Sequence, residues 1–233
     1  MTEQTPHQNV TFPSNGGTAH GYLAVPESGS GPGLIVIQEW WGLTDHIADV
    51  CRRFAREGFV VLAPDLYGGR TAHDEEEAQS LAGQLSPAEA VRDLSGAVDY
   101  LLAQPSVTPD AVGVVGFCMG GSFVLQLAAR AGKKVAAAVV FYGFLQGGED
   151  FSGVSAPVQG HFGEQDQMMP ADQARSVMEK VRVQADVPVQ VYFYDAGHAF
   201  FNDENLLGTY SEDAAKLAWS RTVEFLRSAL GRS

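Results

Sequence analysis

Continuous runs of apolar, β-branched residues alternate along this chain with stretches in which apolar residues recur every three or four positions. Runs of the first kind predict strands buried on both faces. They are Leu34-Ile35-Val36-Ile37, Phe59 to Ala63, Val112 to Val115, Val135 to Phe141, Val158 to Phe162 and Val189 to Tyr194. The second pattern predicts helices. One, capped at Thr44 or Asp45, sets Ile47, Val50, Cys51, Phe54 and Ala55 on a single stripe and ends at Gly58. Another opens on the capping box Ser86-Pro87-Ala88-Glu89 and carries Val91, Leu94, Val98, Leu101 and Leu102 inward. Helical spacing returns over Ser122 to Arg130 and over Ala171 to Val183, where Ala174, Val177, Met178 and Val181 face the core. A terminal helix from Ser211 buries Ala215, Ala218, Trp219, Thr222, Phe225, Leu226 and Ala229. Val10 to Pro13 and Thr18 to Pro26 are shorter strand-like runs around Ser14-Asn15-Gly16-Gly17, a hairpin signal. His73 to Glu77 begins an exposed helix, and Glu75-Glu76-Glu77 reads as its solvated face and not as a metal site.

Strands alternating with helices at this spacing predict an α/β fold: a mostly parallel central sheet, helices on both faces, and the N-terminal hairpin at one edge. No repeat, low-complexity tract or linker interrupts residues 1–233, so one domain is expected. In such sheets reactive groups collect beyond the carboxyl ends of the strands. Glu39, Tyr67, Cys118, Tyr142, Asp166 and His198 each follow a strand run.

Composition narrows the classes of partner. A formal net charge of −13 argues against nucleic acid and anionic membranes, which reward basic patches. No apolar run approaches the roughly 20 residues needed to cross a bilayer. Met1 to Asn9 is polar and lacks the basic-then-apolar layout of a signal peptide, which makes the cytoplasm the default location. Oligomeric state is not readable, and a monomer is the default. Cys51 and Cys118 are too few for a disulfide framework or a thiolate zinc site. Cys51 lies on a helix stripe and reads as a small core residue.

Cys118 is different. It sits in Gly116-Phe117-Cys118-Met119-Gly120-Gly121, between a strand run and a helical run. A strand, a sharp turn with one nucleophilic side chain at its tip and a helix form a nucleophile elbow, with glycines where a side chain would collide. Helix N–H groups at that spot favour a thiolate and can depress its pKa below about 8.5. The resting protonation state of Cys118 is not readable from sequence. A thiol nucleophile needs a base, and the base needs an orienting acceptor. His198 can supply the imidazole and Asp166 the carboxylate. His161, inside a strand run, competes for the first role, and Asp195 for the second. Backbone N–H groups of Met119 and Trp40 are candidate oxyanion donors.

Five segments carry a family resemblance: Gln38-Glu39-Trp40-Trp41-Gly42, Pro64-Asp65-Leu66-Tyr67, the Cys118 elbow, Gly160 to Asp166, and Gly197-His198-Ala199-Phe200. Over nearly its whole length the chain resembles the dienelactone hydrolase (carboxymethylenebutenolidase) family of α/β-hydrolases. The resemblance implies a Cys118–His198–Asp166 triad, with Glu39 as an active-site carboxylate that takes the thiol proton when substrate arrives. It implies hydrolysis of a lactone or carboxylic ester through a thioester, with no metal or organic cofactor. Arg70, Tyr67, Tyr142, Trp41 and Phe200 are then the expected substrate-binding residues. Arg70 is offset by one residue from the family's first carboxylate-binding arginine, and Asn202, followed by Asp203, stands in place of the second. Two other readings are a catalytically silent small-ligand binder on the same fold and a redox sensor using Cys118. The second lacks a resolving partner, because Cys51 is expected to be buried.

Overall fold

Each apolar run becomes a strand, and each helical stripe packs on one side of the sheet those strands form. The computed structural model describes residues 7–14, 16–144 and 148–231; Asn15 of the expected hairpin turn lies outside them. In chain order the elements are β1 (Val10–Ser14), β2 (Gly17–Ala24), β3 (Gly31–Ile37), α1 (Asp45–Arg56), β4 (Val60–Pro64), α2 (Glu75–Gln84), α3 (Pro87–Leu102) and β5 (Val107–Phe117). Then come α4 (Met119–Ala131), β6 (Val135–Phe141), β7 (Val158–Gly163), α5 (Ala171–Ala185), β8 (Val189–Tyr194) and α6 (Glu212–Leu230).

The strands form one eight-stranded sheet in the order β1-β2-β4-β3-β5-β6-β7-β8. β1 and β2 make the expected antiparallel hairpin, and β2 joins β4 antiparallel. All other neighbours run parallel, so their carboxyl ends lie along one rim. Side-chain alternation along β3 shows how the layers are built. Ile35 and Ile37 join a core with α3, α4 and α5, whereas Leu34 and Val36 join a second core with α1 and α6. Helix α2 packs Ala78 and Leu81 against Trp41 and Tyr67 in a smaller cluster at the rim.

The α1 and α3 starts fall at Thr44 and Ser86 as expected, and the α4 start does not. The Ser86 hydroxyl caps α3 as predicted, by accepting from the Glu89 N–H. Thr44 makes no such bond for α1; the Glu204 carboxylate, distant in sequence, accepts the His46 N–H at 3.3 Å instead. Helix α4 begins at Met119, three residues before the predicted Ser122, and takes Gly120 and Gly121 into its first turn. The cause is proximity to the sheet. A Cβ on Gly120 would stand 2.4 Å from the Ile37 carbonyl oxygen, and one on Gly116 would stand 2.3 Å from the Gly120 oxygen. Glycine here serves close backbone approach inside a helix, not a turn.

That contact makes a measurable claim. Gly120→Ala meets rigid backbone on the Ile37 side, and overpacking of this kind should remove about 3 kcal/mol of stability. A urea unfolding midpoint indistinguishable from wild type would contradict it.

Candidate active site

The residues singled out at strand ends converge on one rim. Cys118 holds the turn between β5 and α4 with φ 52° and ψ −116°, a conformation costly for a residue with a side chain. It is 2% exposed. The His198 Nε2 lies 3.2 Å from the Cys118 Sγ, and the His198 Nδ1 lies 2.7 Å from the Asp166 Oδ2. The other Asp166 oxygen accepts backbone N–H groups of Met168 and Met169 at 2.8 and 2.9 Å, which fixes the carboxylate. The imidazole is stacked on Phe144, with ring centroids 5.0 Å apart, and meets Tyr142 edge-on at 5.1 Å. Thr209 ties down the His198 carbonyl oxygen.

The two rivals left open by the sequence fall elsewhere. His161 is buried in β7, bonded to Tyr194, Gln159 and Thr222 and stacked on Phe141 at 4.5 Å. Burial pushes its pKa down to about 3, so it is a neutral structural group. Asp195 is exposed and accepts from the Gln165 amide.

Glu39 is 1% exposed although it carries a carboxylate. Its Oε1 accepts from the Tyr142 hydroxyl at 3.0 Å, and its Oε2 from the Asn202 Nδ2. Tyr142 has φ 38°, so a second residue of the site is held in left-handed backbone. Sequence reasoning placed Asn202 at a substrate position and missed it as the partner of Glu39; only the folded loop after His198 brings the two together.

Despite the N–H groups at the elbow, the Cys118 pKa is raised and not lowered. Burial of the sulfur raises it most, and the neighbouring Glu39 charge raises it further. Backbone N–H groups of Met119 and Trp40 act on the sulfur in the opposite sense, yet the result lies well above the ordinary thiol value. The resting group is therefore a thiol. A helix N-terminus favours a thiolate only as far as desolvation allows.

Among the expected substrate-binding residues, Tyr67 donates its hydroxyl to the Met119 sulfur at 3.4 Å, beside the elbow. Trp41 is buried edge-on to the half-buried Trp40, ring centroids 5.0 Å apart. Phe200 is buried beneath Tyr142, with centroids 5.4 Å apart. Arg70 turns away from the triad: it donates to the Tyr67 carbonyl at 3.2 Å and to Gln84 of α2 at 3.1 Å. Cys51 is fully buried in α1, as its stripe position predicts. No cluster of metal-ligating side chains occurs among the described residues, and none of their helices is long and apolar enough to cross a membrane.

The sequence profile described as "Dienelactone hydrolase family" matches residues 19–230. A protein of Aquifex pyrophilus named usf is 35% identical, over 96% of this chain and 99% of its own. A protein of Aquifex aeolicus, provisionally named a carboxymethylenebutenolidase, is 31% identical over 96% and 99%. Among solved structures, a dienelactone hydrolase-like promiscuous phosphotriesterase from metagenomic libraries superposes with a TM-score of 0.83 at 27% identity. That match covers 97% of this chain and 99% of the other.

The raised thiol pKa has a defined pH signature. Alkylation of Cys118 by iodoacetamide should keep accelerating beyond about pH 8.5, where an ordinary thiol levels off. Folding holds the proton more tightly than the unfolded chain does. The stability from this group is thus complete below the ordinary thiol pKa and declines as pH rises above it. Cys51 is pushed up by burial as well and adds to the same decline. Mass spectrometry of alkylated protein and urea midpoints across alkaline pH test both statements. An alkylation rate already level near neutrality would contradict the first.

Proposed function

The chain belongs to the dienelactone hydrolase family, has the α/β-hydrolase fold and is a hydrolase, and from that premise we propose that it cleaves a carboxylic ester or lactone with Cys118 as nucleophile. The Asp166–His198–Cys118 relay carries this reading, because a base within hydrogen-bond reach of a nucleophile and itself oriented by a buried acid is what acyl transfer requires.

The steps follow from the groups present. The resting thiol gives its proton to Glu39 as Sγ bonds to the substrate carbonyl carbon. Glu39 suits this task because its charge is the strongest influence on the sulfur after burial. The resulting oxyanion accepts from the Met119 and Trp40 N–H groups, each donor of this kind being worth about 3 kcal/mol in the transition state. Collapse breaks the bond to the alcohol oxygen, which takes the proton from Glu39 and leaves a thioester on Cys118. His198 then removes a proton from water, and the hydroxide adds to the thioester carbonyl. The acid leaves, and sulfur recovers its proton from His198. Tyr142 orients Glu39 and walls the imidazole, Phe200 supports Tyr142, Tyr67 bonds the Met119 sulfur beside the elbow, and Trp41 packs edge-on against Trp40. Each proton taken up by Glu39 or His198 is returned, to the alcohol oxygen in the first half and to the sulfur in the second.

Cys118→Ala should abolish hydrolysis of p-nitrophenyl butyrate and of a small lactone with no change in circular dichroism. Turnover that persists in this variant overturns the proposal. Glu39→Gln leaves shape intact and removes the proton acceptor, so the acylation burst should slow about 100-fold. Stopped-flow release of p-nitrophenol measures it.

A further inference from the structure

Two carboxylates share this buried site, and among the described residues neither is paired with a lysine or arginine. Asp166 accepts from His198 and from two backbone N–H groups. Glu39 accepts from a phenol and an amide. The direction of that amide is fixed, because the Asn202 Oδ1 accepts the Glu204 N–H at 2.9 Å and only the Nδ2 remains for Glu39.

The arginines of the neighbourhood are committed elsewhere. Arg70 is held by the Tyr67 carbonyl and Gln84. Arg53 lies 4.3 Å above the Trp219 ring and 5.2 Å above Phe201. Arg221 lies 4.1 Å above Tyr192 and donates to the Tyr194 hydroxyl. Directly after Asn202 the loop adds two more acids, Asp203 and Glu204, which engage His46. Half-buried apolar side chains also pack against the clusters that hold the triad, among them Trp40, Phe144, Leu207 and Met119.

We propose that Asn202 sets a charge preference: the site accepts esters and lactones whose acyl part is uncharged and rejects those carrying a carboxylate close to the scissile carbonyl. The inference rests on the thiol-hydrolase reading above. Its physical content is short-range repulsion at a site where Glu39 and Asp166 are buried, so that like charges interact far more strongly than in water. An amide stabilises Glu39 through one hydrogen bond but offers nothing to a second anion. A guanidinium at the same position would serve both.

The test compares p-nitrophenyl pentanoate with the p-nitrophenyl monoester of glutaric acid, which has the same acyl length and ends in a carboxylate. The p-nitrophenyl ester of monomethyl glutarate restores neutrality at greater bulk. Wild-type kcat/KM should favour the pentanoate over the carboxylate by about tenfold or more, with the loss mainly in KM, since repulsion acts on binding. The methyl ester should return to within about threefold of the pentanoate. Asn202→Arg should narrow the gap by about tenfold, and Asn202→Lys provides a slimmer cation should the arginine impair folding. Equal or greater kcat/KM for the carboxylate, with Cys118→Ala silent on both esters, overturns the charge preference and leaves thiol hydrolysis standing. Turnover of both esters that survives Cys118→Ala overturns the thiol reading and this inference with it. An unchanged ratio in folded variants carrying either cation at position 202 removes Asn202 from the role.

Discussion

The active end of the molecule depends on how closely the first turn of α4 approaches the sheet. Four glycines permit it. A Cβ on Gly116 would strike the Gly120 carbonyl, and one on Gly143 would stand 2.6 Å from the Gly121 carbonyl carbon. With the helix pressed down this far, the chain has no room for a gradual turn, and Cys118 takes the left-handed backbone that a side chain normally avoids. The strain is tolerated because both flanks are over-determined: β5 is paired on both sides, and α4 packs in the larger core. The same approach sets the Met119 N–H against the sulfur and the end of β3 beside it, so the helix, Glu39 and Trp40 meet at one atom.

That meeting explains the resting state of the thiol. Two backbone N–H groups favour the thiolate, while burial and a carboxylate favour the thiol, and the second pair prevails. Withdrawing a sulfur from water costs the anion more than two dipoles return. A resting thiol is also less exposed to oxidation than a standing thiolate, since both reactivity and oxidation follow thiolate character. The redox-sensor reading is poorly matched to such a sulfur, and Cys51, sealed in α1, offers it no partner.

Sequence periodicity carried most of the architecture, because buried strands and amphipathic helices must repeat at their own period whatever surrounds them. The strand-end rule also named six side chains: the fold brings Glu39, Cys118, Tyr142, Asp166 and His198 together and sets Tyr67 beside the elbow. What was illegible depends on distant parts of the chain. Gly120 and Gly121 read as a turn locally, yet the sheet beneath them makes them helical. The α1 terminus is satisfied by Glu204, whose role no local pattern at Thr44 discloses. Arg70 stands one residue from the family's arginine position and donates to Gln84, a partner supplied by α2. His161 and Asp195 are separated from His198 and Asp166 by their partners in the fold: His161 bonds Tyr194, Gln159 and Thr222, and exposed Asp195 accepts from Gln165.

The loop after β8 joins chemistry to selectivity. It carries His198, the base of the relay, and four residues later Asn202, the partner of Glu39. It is clamped at several points along its length. Thr209 holds the His198 carbonyl, the Ser211 N–H donates to the Phe200 carbonyl, and Asp203 and Glu204 grip His46 at the start of α1. Below it, Phe201 stacks on Phe117, the residue before the nucleophile, with centroids 5.3 Å apart. A shift of this loop cannot move the imidazole without also moving the amide that steadies Glu39. The base and the proton acceptor are thus positioned by one rigid segment, and a change at Asn202 that alters charge must keep the backbone of that segment in place to leave the relay intact.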